Sequence, residues 1–316
     1  MGANVILCNM LTNLAILTTS RCDLKCQHCL RGFPQERTDF PIELLDKLLT
    51  EAMPFGARHV ELTGGEPCLH PQFEQIVEKI VSYGYSWHFT SNGQKTKPYL
   101  SLIEETREQF GHVTLSIDGV DAKTHDAIRN KEGAFQKVME AARLYVKKGY
   151  RVQANLVLNR INKGQVKDYI SLGEELGLVR VTFAGTTSAP WNQDLLLSEA
   201  ESLELYQQIL LLRETAKIKV NTASALHTRG GVNFCDTLNM KKLYFNSHGE
   251  MIFCCDTDHP KSVIGSLYEY SLKELMAIWL EKSMHLQKRR LEIISQGRLE
   301  AWFDTCGFCN HSQAFQ

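Results

Sequence analysis

The sequence predicts an α/β protein built on a partial (β/α)6 barrel of the TIM-like type, followed by a small cysteine-rich extension made of a β-hairpin and a helix. The first observation is that six strand-like segments alternate with helix-like segments between residue 14 and about residue 213. With right-handed crossovers, such units form a parallel sheet with the helices outside. The second observation is that six units are too few to close an eight-stranded barrel. The third is a change of composition after residue 230, where five cysteines follow.

Composition and charge exclude several function classes. The chain has 316 residues, with 35 basic and 36 acidic side chains, and its net charge of -1 leaves no electrostatic footprint for nucleic acid or an anionic membrane. We find no apolar stretch near the roughly 20 residues that span a bilayer, and no secretory signal at the N-terminus. These observations predict a cytoplasmic protein. Ten cysteines in such a protein indicate metal binding or catalysis before disulfides.

The first predicted strand covers residues 14–19, and the loop after it contains Cys22, Cys26 and Cys29. The strand is predicted because its residues are apolar and β-branched. A closed zinc site or a complete cubane takes four protein ligands, so three closely spaced cysteines predict a metal centre with an open position. The alternative is a zinc loop completed by His28 or by a distant ligand. In parallel α/β folds, loops at the carboxyl ends of strands carry the functional site.

The remaining barrel elements are predicted from two periodicities. Apolar residues at helical spacing predict amphipathic helices over residues 41–53, 71–83, 98–110, 134–148, 163–176 and 196–215. Short apolar or β-branched runs predict strands over residues 59–63, 86–90, 112–117, 150–158 and 178–184. Strands and helices therefore alternate along the whole barrel.

Three of these strands end in residues suited to ligand binding. They are Gly64, Gly65, Glu66 and Pro67 after the second strand, Ser91 and Asn92 after the third, and Ser116 and Asp118 at the end of the fourth. Two adjacent glycines allow the backbone to approach a ligand closely. Each group alone is also compatible with a plain turn or with ordinary surface residues. Their order on successive strand ends is what favours a binding site beside the cysteine loop.

Later strand ends are predicted to face the barrel mouth. Asn155, Asn159 and Arg180 would point toward a substrate there. The loop over residues 185–193 is polar, rich in turn residues and contains Trp191. A substrate-contacting loop and a simple connector explain it equally well.

The C-terminal region, residues 214–316, is predicted to form a domain separate from the barrel of residues 1–213. Strand-like runs at residues 243–245 and 251–254 flank a turn and predict a hairpin, and residues 271–290 predict a helix. The cysteines of this region are Cys235, Cys254, Cys255, Cys306 and Cys309. Four thiolates from the hairpin and the final CxxC would be enough for a closed site holding zinc or an iron–sulfur cluster.

This ordered set of motifs resembles that of the radical S-adenosylmethionine (SAM) superfamily. The spacing of Cys22, Cys26 and Cys29 is that of its CxxxCxxC loop, and residues 64–67 match its GGEP motif. The resemblance implies a [4Fe-4S] cluster on the three thiolates, with SAM on the fourth iron. Reductive cleavage of SAM would give a 5'-deoxyadenosyl radical that removes a hydrogen atom from substrate. The implied SAM-binding set is His28, Gly64, Gly65, Glu66, Pro67, Ser91, Asn92, Ser116, Asp118 and Arg129.

Within that set, the resemblance implies individual roles. The GGEP backbone and Glu66 would receive the amino group of SAM. Ser116 and Asp118 would face its ribose and carboxylate, and Arg129 would lie near the carboxylate. His28 stands where these enzymes usually carry an aromatic residue.

The C-terminal cysteines resemble the SPASM and twitch extensions of the same superfamily. A cysteine, a gap and a GxxxxC pattern begin such extensions, as Cys235, Gly249 and Cys254 do here. The late CxxC alone is too little for the two clusters of a full SPASM extension. The resemblance therefore implies a twitch-like extension with one auxiliary [4Fe-4S] cluster, on Cys235, Cys254, Cys306 and Cys309. Cys255 could replace Cys254 as the ligand, and zinc is the alternative metal.

Two reactions are compatible with these motifs. The main prediction is an epimerase in which Cys255 returns a hydrogen atom to the opposite face of a substrate radical, with Cys68 as a second candidate donor. Each cysteine could instead be a small buried hydrophobe. In the alternative reaction, the substrate radical loses a proton, and an electron to the auxiliary cluster. That reaction would oxidise the substrate, or form a thioether or carbon–carbon crosslink in a ribosomal peptide.

The predicted partners follow from the same resemblance. About a dozen residues precede the first strand, too few for the winged-helix module with which many relatives bind peptides. We therefore expect a small molecule, such as an aminoglycoside, or a short or separately delivered peptide as substrate. Flavodoxin or ferredoxin would supply electrons. A zinc scaffold or an iron–sulfur regulator would explain the cysteines, but not the ordered strand-end motifs.

Overall fold

The computed structural model describes residues 11–32, 36–95, 97–223, 226, 241–254 and 262–297. The strands are β1 (Asn13–Thr19), β2 (His59–Gly64), β3 (Ser86–Ser91), β4 (Phe110–Ser116), β5 (Val152–Leu158), β6 (Arg180–Gly185), β7 (Lys219–Thr222), β8 (Lys242–Phe245), β9 (Glu250–Ile252) and β10 (Val263–Ser266). The helices are α1 (Glu43–Ala52), α2 (Phe73–Ser82), α3 (Lys97–Glu105), α4 (Ala122–Arg129), α5 (Ala134–Lys147), α6 (Val166–Glu175), α7 (Glu199–Arg213) and α8 (Leu272–Ser295).

All described strands belong to one sheet, in the order β10-β9-β8-β1-β2-β3-β4-β5-β6-β7. The pairs from β8 through β1 to β7 are parallel, whereas β9 and β10 add antiparallel strands at one edge. The sheet therefore extends beyond the six predicted strands. β7 was not predicted from the sequence, because this strand has four residues, of which only Val220 is buried.

The helices pack on one face of the sheet, as in a (β/α) barrel. Alternate strand residues, such as Leu14, Ile16, Val60 and Leu62, join the buried side chains of the helices in one hydrophobic cluster. The fully buried indole of Trp87 packs in this cluster too. This alternation of apolar side chains toward the helices and polar ones away from them matches strands covered on one side by helices.

Polar side chains line the other face near the amino ends of β2, β3 and β4. His59 shares a hydrogen bond with His88, whose ring stacks on His112 with the centroids 4.0 Å apart. Glu61 accepts a hydrogen bond from Lys242 Nζ at 2.7 Å, and lies 3.8 Å from His88 Nε2. Burial lowers the pKa of His88 to about 3 and that of His112 to about 4. The histidine stack is therefore neutral at physiological pH.

The described segments at residues 241–254 and 262–297 are fixed to the barrel through α1 and β1. The predicted hairpin is present as β8 and β9, and β8 pairs in parallel with β1. Lys47 Nζ donates to the carbonyl oxygens of Leu267 at 2.6 Å and Tyr270 at 2.8 Å. The division of the chain at residues 213 and 214 stays a prediction. No helix in the described part of the chain is long and apolar enough to cross a membrane.

Candidate functional site

A cavity of about 610 Å³ opens at the carboxyl ends of β1 to β4. The loop after β1 forms one wall of the cavity, and the ends of β2, β3 and β4 form the other. The sequence-predicted residues that line it are Cys22, Cys26, His28, Cys29, Gly64, Gly65, Ser91, Asn92, Ser116 and Arg129. Parallel pairing brings these strand ends to one edge of the sheet, which explains why positions distant in sequence meet here.

The base of the cysteine loop is fixed by an ion pair. Arg21 NH2 lies 2.8 Å from Asp39 Oδ2, and Arg21 Nε contacts both carboxylate oxygens at 3.0 Å. Asp39 also accepts a hydrogen bond from Thr19 Oγ1 at 2.5 Å. These contacts join the end of β1 to the segment that returns toward α1, and they close the loop that carries the three cysteines.

Each cysteine of the loop is supported by a different part of the barrel. Asn92 Nδ2, after β3, lies 3.9 Å from Cys22 Sγ, within the range of a weak hydrogen bond to sulfur. Arg129, at the end of α4, donates from NH1 to Cys26 Sγ at 3.5 Å. Trp191, in the loop after β6, donates from Nε1 to the carbonyl oxygen of Cys29 at 2.8 Å. The loop after β6 therefore contacts the cysteine loop through Trp191, in addition to connecting β6 to α7.

Gly64 and Gly65 are required by the neighbouring loop. A Cβ on Gly65 would overlap the carbonyl oxygen of Arg21, and one on Gly64 would collide with the backbone of Thr19. Gly64 also has a φ of +143°, which L side chains rarely adopt. Gly65 N donates to the carbonyl oxygen of Thr19 at 2.7 Å, and Glu66 N donates to that of Arg21 at 2.7 Å. The close approach that was predicted for a ligand is thus made, in this structure, by the base of the cysteine loop.

Glu66 is fully buried behind the cavity wall. Its carboxylate accepts hydrogen bonds from Ser91 Oγ at 2.8 Å, Asn92 N at 2.7 Å and Cys68 Sγ at 2.6 Å. Burial raises the pKa of Glu66 to about 7, although the bonds from Asn92 and Ser91 oppose the rise. Glu66 holds the end of β3 in place, and its predicted contact with the amino group of SAM stays a prediction.

Asp118 is the centre of a second buried network. Its Oδ2 lies 2.7 Å from Arg129 Nε and 3.3 Å from His28 Nε2, and its Oδ1 accepts from Val157 N at 2.9 Å. Burial is the largest influence on Asp118 and raises the pKa of its carboxyl group, but the charge of Arg129, together with His28 and the hydrogen bond from Val157 N, outweighs burial and holds this pKa below its ordinary value. Asp118 does not line the cavity. It orients Arg129 and His28, which do.

The turn of the β8–β9 hairpin reaches the same cavity, although no such contact was predicted from the sequence. Asn246, Ser247 and His248 line the cavity, and Ser247 Oγ lies 2.6 Å from Thr38 Oγ1. This follows from the parallel pairing of β8 with β1, because the carboxyl ends of the two strands lie side by side. The turn signal at residues 246–249 was visible in the sequence, but the partner strand of β8 was not.

The remaining predicted residues lie elsewhere. Pro67 and Cys68 follow Glu66 in a short 3-10 turn outside the cavity lining. The prediction for Arg180 was wrong, because it begins β6 and lies at the amino end of the strand, where NH1 donates to Gln153 at 3.3 Å. Asn159 is buried in the turn after β5, away from the cavity lining, and Asn155 pairs in register with Ser116.

Cys254 follows β9 and packs against the hydrophobic cluster. Cys235, Cys255, Cys306 and Cys309 lie outside the described residues.

The residues around the cavity fit an iron–sulfur cluster that keeps one open position. Three cysteines line one space, and three thiolates leave a fourth iron site for another ligand. Burial raises the pKa of Cys22 to about 11 and raises that of Cys26, so binding of iron would be needed to hold these thiols deprotonated. His28 Nδ1 is buried and has no hydrogen-bond partner among the described residues, which leaves it available to a ligand.

Comparison with known proteins gives three kinds of match. Residues 16–173 match the Radical SAM superfamily. A PqqA peptide cyclase from Methylorubrum extorquens (strain PA1) is 31% identical over 176 residues, which are 55% of this chain and 45% of that protein. The chain thus spans about half the length of this relative.

Solved structures share the fold. Streptococcus suis SuiB bound to its precursor peptide SuiA superposes with a TM-score of 0.69 at 17% identity, over 86% of this chain and 65% of that one. His-tagged anSMEcpe with bound AdoMet gives a TM-score of 0.67 at 17% identity, over 88% and 85% of the two chains.

The family match covers half of the chain and includes the cysteine loop and the strand ends that line the cavity. Membership implies a [4Fe-4S] cluster and SAM, which agrees with the donor set found there. This chain therefore belongs to the Radical SAM superfamily.

Proposed function

We propose that this protein oxidatively modifies a ribosomal peptide, forming a crosslink within it by radical SAM chemistry. The observation that carries the proposal is the single cavity that Cys22, Cys26 and Cys29 share with the ends of β2, β3 and β4. Cluster and SAM, when bound there, would supply the abstraction of a hydrogen atom from the peptide. The relative named PqqA peptide cyclase supports a peptide as the substrate class, in place of the aminoglycoside-like molecule that the sequence analysis also allowed.

The residues of this chain would hold and orient the two groups. Cys22, Cys26 and Cys29 would ligate the cluster, and the pocket-lining side chains of Ser91 and Asn92 would face SAM. The buried carboxylate of Glu66 fixes the Ser91 side chain and the Asn92 backbone, since it accepts hydrogen bonds from Ser91 Oγ at 2.8 Å and from Asn92 N at 2.7 Å. A rigid site of this kind keeps the reacting atoms in one geometry, which is a large part of catalysis.

Crosslinking removes two hydrogens from the peptide in balanced steps. The peptide gives one hydrogen atom to the SAM-derived fragment, one proton to a base and one electron to an acceptor. An auxiliary cluster on Cys235, Cys254, Cys306 and Cys309 is proposed as that acceptor, with flavodoxin or ferredoxin as the electron donor for SAM cleavage. Two [4Fe-4S] clusters predict about eight iron atoms per chain. About four iron atoms with one zinc would reject the auxiliary cluster.

Epimerisation, the first prediction from the sequence, has less support. Its main candidate donor, Cys255, lies outside the described residues, as do Cys235, Cys306 and Cys309, so the ranking rests on Cys68 and on the relative. The second candidate, Cys68, bonds to Glu66 at 2.6 Å and does not line the cavity. The name of the peptide cyclase relative points to bond formation within a peptide. We therefore rank crosslinking above epimerisation.

The test is anaerobic incubation of the reconstituted, reduced enzyme with SAM and a candidate precursor peptide in deuterated water. Crosslinking is expected to release 5'-deoxyadenosine and to make the peptide about two mass units lighter, with no deuterium at carbon. A peptide about one mass unit heavier would mean that an exchangeable thiol returned the hydrogen, and would replace crosslinking with epimerisation. Cys26→Ala is the negative control for SAM cleavage, and Cys68→Ala is expected to leave the product unchanged.

A further inference from the structure

The C-terminal end of α4 is docked onto the cysteine loop. Gln27 N donates to the carbonyl oxygen of Ile128 at 2.9 Å, and Gln27 Nε2 donates to that of Ala127 at 2.7 Å. Asn130 ends the helix in the left-handed conformation, with a φ of +53°. The last carbonyl groups of a helix have no partner within it, so they are free to accept from a neighbouring loop. The cysteine loop uses them, and its position beside Arg129 is thereby fixed.

Arg129 links a buried carboxylate to a cysteine sulfur. Its side chain is 9% exposed, and that of Asp118 is fully buried. Arg129 Nε lies 2.7 Å from Asp118 Oδ2, while its NH1 donates to Cys26 Sγ at 3.5 Å. Val157 N fixes the second oxygen of the carboxylate at 2.9 Å. One edge of the guanidinium group thus faces Asp118 and another faces Cys26.

This arrangement distinguishes Cys26 from the other two cysteines of the loop. The hydrogen bond to Cys22 Sγ comes from the neutral amide of Asn92, at 3.9 Å. Trp191 bonds to the backbone of Cys29, away from its sulfur. Within the part of the chain that the structure describes, the hydrogen bond from a cation to a sulfur of this loop comes from Arg129.

A cation that contacts a sulfur ligand of a cluster favours the reduced state of that cluster. Reduction adds one negative charge to a cluster, and hydrogen bonds and positive charge at the sulfur ligands stabilise that added charge. In a buried site the effect is larger than in water, because the effective dielectric constant is lower. The negative charge of Asp118 opposes the effect, but Arg129 lies between Asp118 and Cys26.

We propose that Arg129, held by Asp118, is a positioning residue that raises the reduction potential of the cluster on Cys22, Cys26 and Cys29. This inference rests on the proposed function, since it requires the cluster to be present. It adds a role to Arg129 beyond a contact with the carboxylate of SAM. The asymmetric support of the three cysteines makes Cys26 the ligand through which the chain sets the potential.

The test is a redox titration of the reconstituted enzyme followed by electron paramagnetic resonance, without SAM. The signal of this cluster is identified separately as the one that changes when SAM is added. Arg129→Gln is expected to lower the equilibrium constant for reduction of the cluster at least tenfold. This is a fall of at least 59 mV in the one-electron reduction potential. Arg129→Lys keeps the charge and is expected to cause a smaller fall. Lys123→Gln removes the same charge from an exposed position in the first turn of α4, and is the matched control.

A double variant separates electrostatics from folding. Arg129→Gln leaves the Asp118 carboxylate buried without its cation, whereas Asp118→Asn with Arg129→Gln removes both charges. The reduction potential of the double variant is expected to lie below that of wild type, but by less than the reduction potential of Arg129→Gln does. The inference would be overturned if Arg129→Gln and the double variant each changed the equilibrium constant for cluster reduction by less than twofold while the SAM-responsive signal stayed intact. Absence of any SAM-responsive signal in the wild type would instead reject the proposed function.

Discussion

Acidification is expected to destabilise this protein through the buried histidine stack, and His88 gives the clearest case. Its side chain is 10% exposed, and burial lowers its pKa from the ordinary 6.5 to about 3. The unfolded chain therefore takes up a proton before the folded chain does. The stability that the neutral imidazole contributes is complete above about pH 6.5 and is lost progressively as the pH falls toward 3.

The size of this effect follows from proton linkage. Between about pH 7.5 and 5.5, a histidine that titrates at 6.5 when unfolded and at 3 when folded costs about 1.4 kcal/mol. The figure hardly changes if the folded pKa is 4, because the folded side chain is then still neutral at pH 5.5. His112, with a pKa lowered to about 4, is expected to add a similar loss.

The assay is urea unfolding at the two pH values, followed by tryptophan fluorescence, on wild type and His88→Gln. The free energy of unfolding of wild type should fall by about 1.4 kcal/mol more than that of His88→Gln. Comparing the change in the free energy of unfolding between the two pH values cancels any acid sensitivity that the two proteins share. His285→Gln removes an exposed imidazole from α8 and controls for the loss of a histidine as such. Equal pH dependence in wild type and His88→Gln would refute the reasoning, and would mean that Glu61 stabilises a protonated His88.

Three further substitutions test the packing around the site. Gly65→Ala forces a methyl group onto the backbone of Arg21, so urea unfolding is expected to show a loss of about 3 kcal/mol in stability. Iron analysis is expected to show a lower iron content, and an iron content equal to that of wild type would contradict the assigned contact. Trp191→Phe removes the bond to the Cys29 carbonyl group, worth about 1 kcal/mol, so the cluster absorbance should decay faster in air than in wild type. Trp87→Ala empties a fully buried site and is expected to cost about 4 kcal/mol in urea unfolding, and a cost below about 1 kcal/mol would contradict its place in the core.

Several site residues could be predicted because local sequence determines where they lie. Cys22, Cys26 and Cys29 follow a strand directly, and so do Gly64, Ser91 and Ser116 at the ends of theirs. In a parallel sheet all such ends lie at one edge, so the sequence order alone predicts that they meet. The structure places these residues around one cavity.

Other features depend on contacts between segments far apart in the chain. Asp118 was predicted to face SAM, yet it lies behind the cavity lining and binds Arg129 and His28. Its strand position could be predicted, but its partners come from two other segments. In the same way, nothing in the hairpin at residues 242–252 indicates that β8 pairs in parallel with β1.

The sequence by itself determined the alternation of strands and helices, the three-cysteine loop and the family to which the chain belongs. The first two depend on periodicity and spacing, which are local properties of the chain, and the family follows from the resemblance of its ordered motifs to those of the superfamily. Only the tertiary structure decided that Gly65 makes room for the cysteine loop, that the turn at residues 246–248 closes one side of the cavity, and that Arg129 bonds to Cys26. The physical reason is that such contacts join residues that can lie more than 200 positions apart, as Thr38 and Ser247 do at a separation of 209. Strand pairing and packing, which bring these residues together, leave no periodic signal in the sequence.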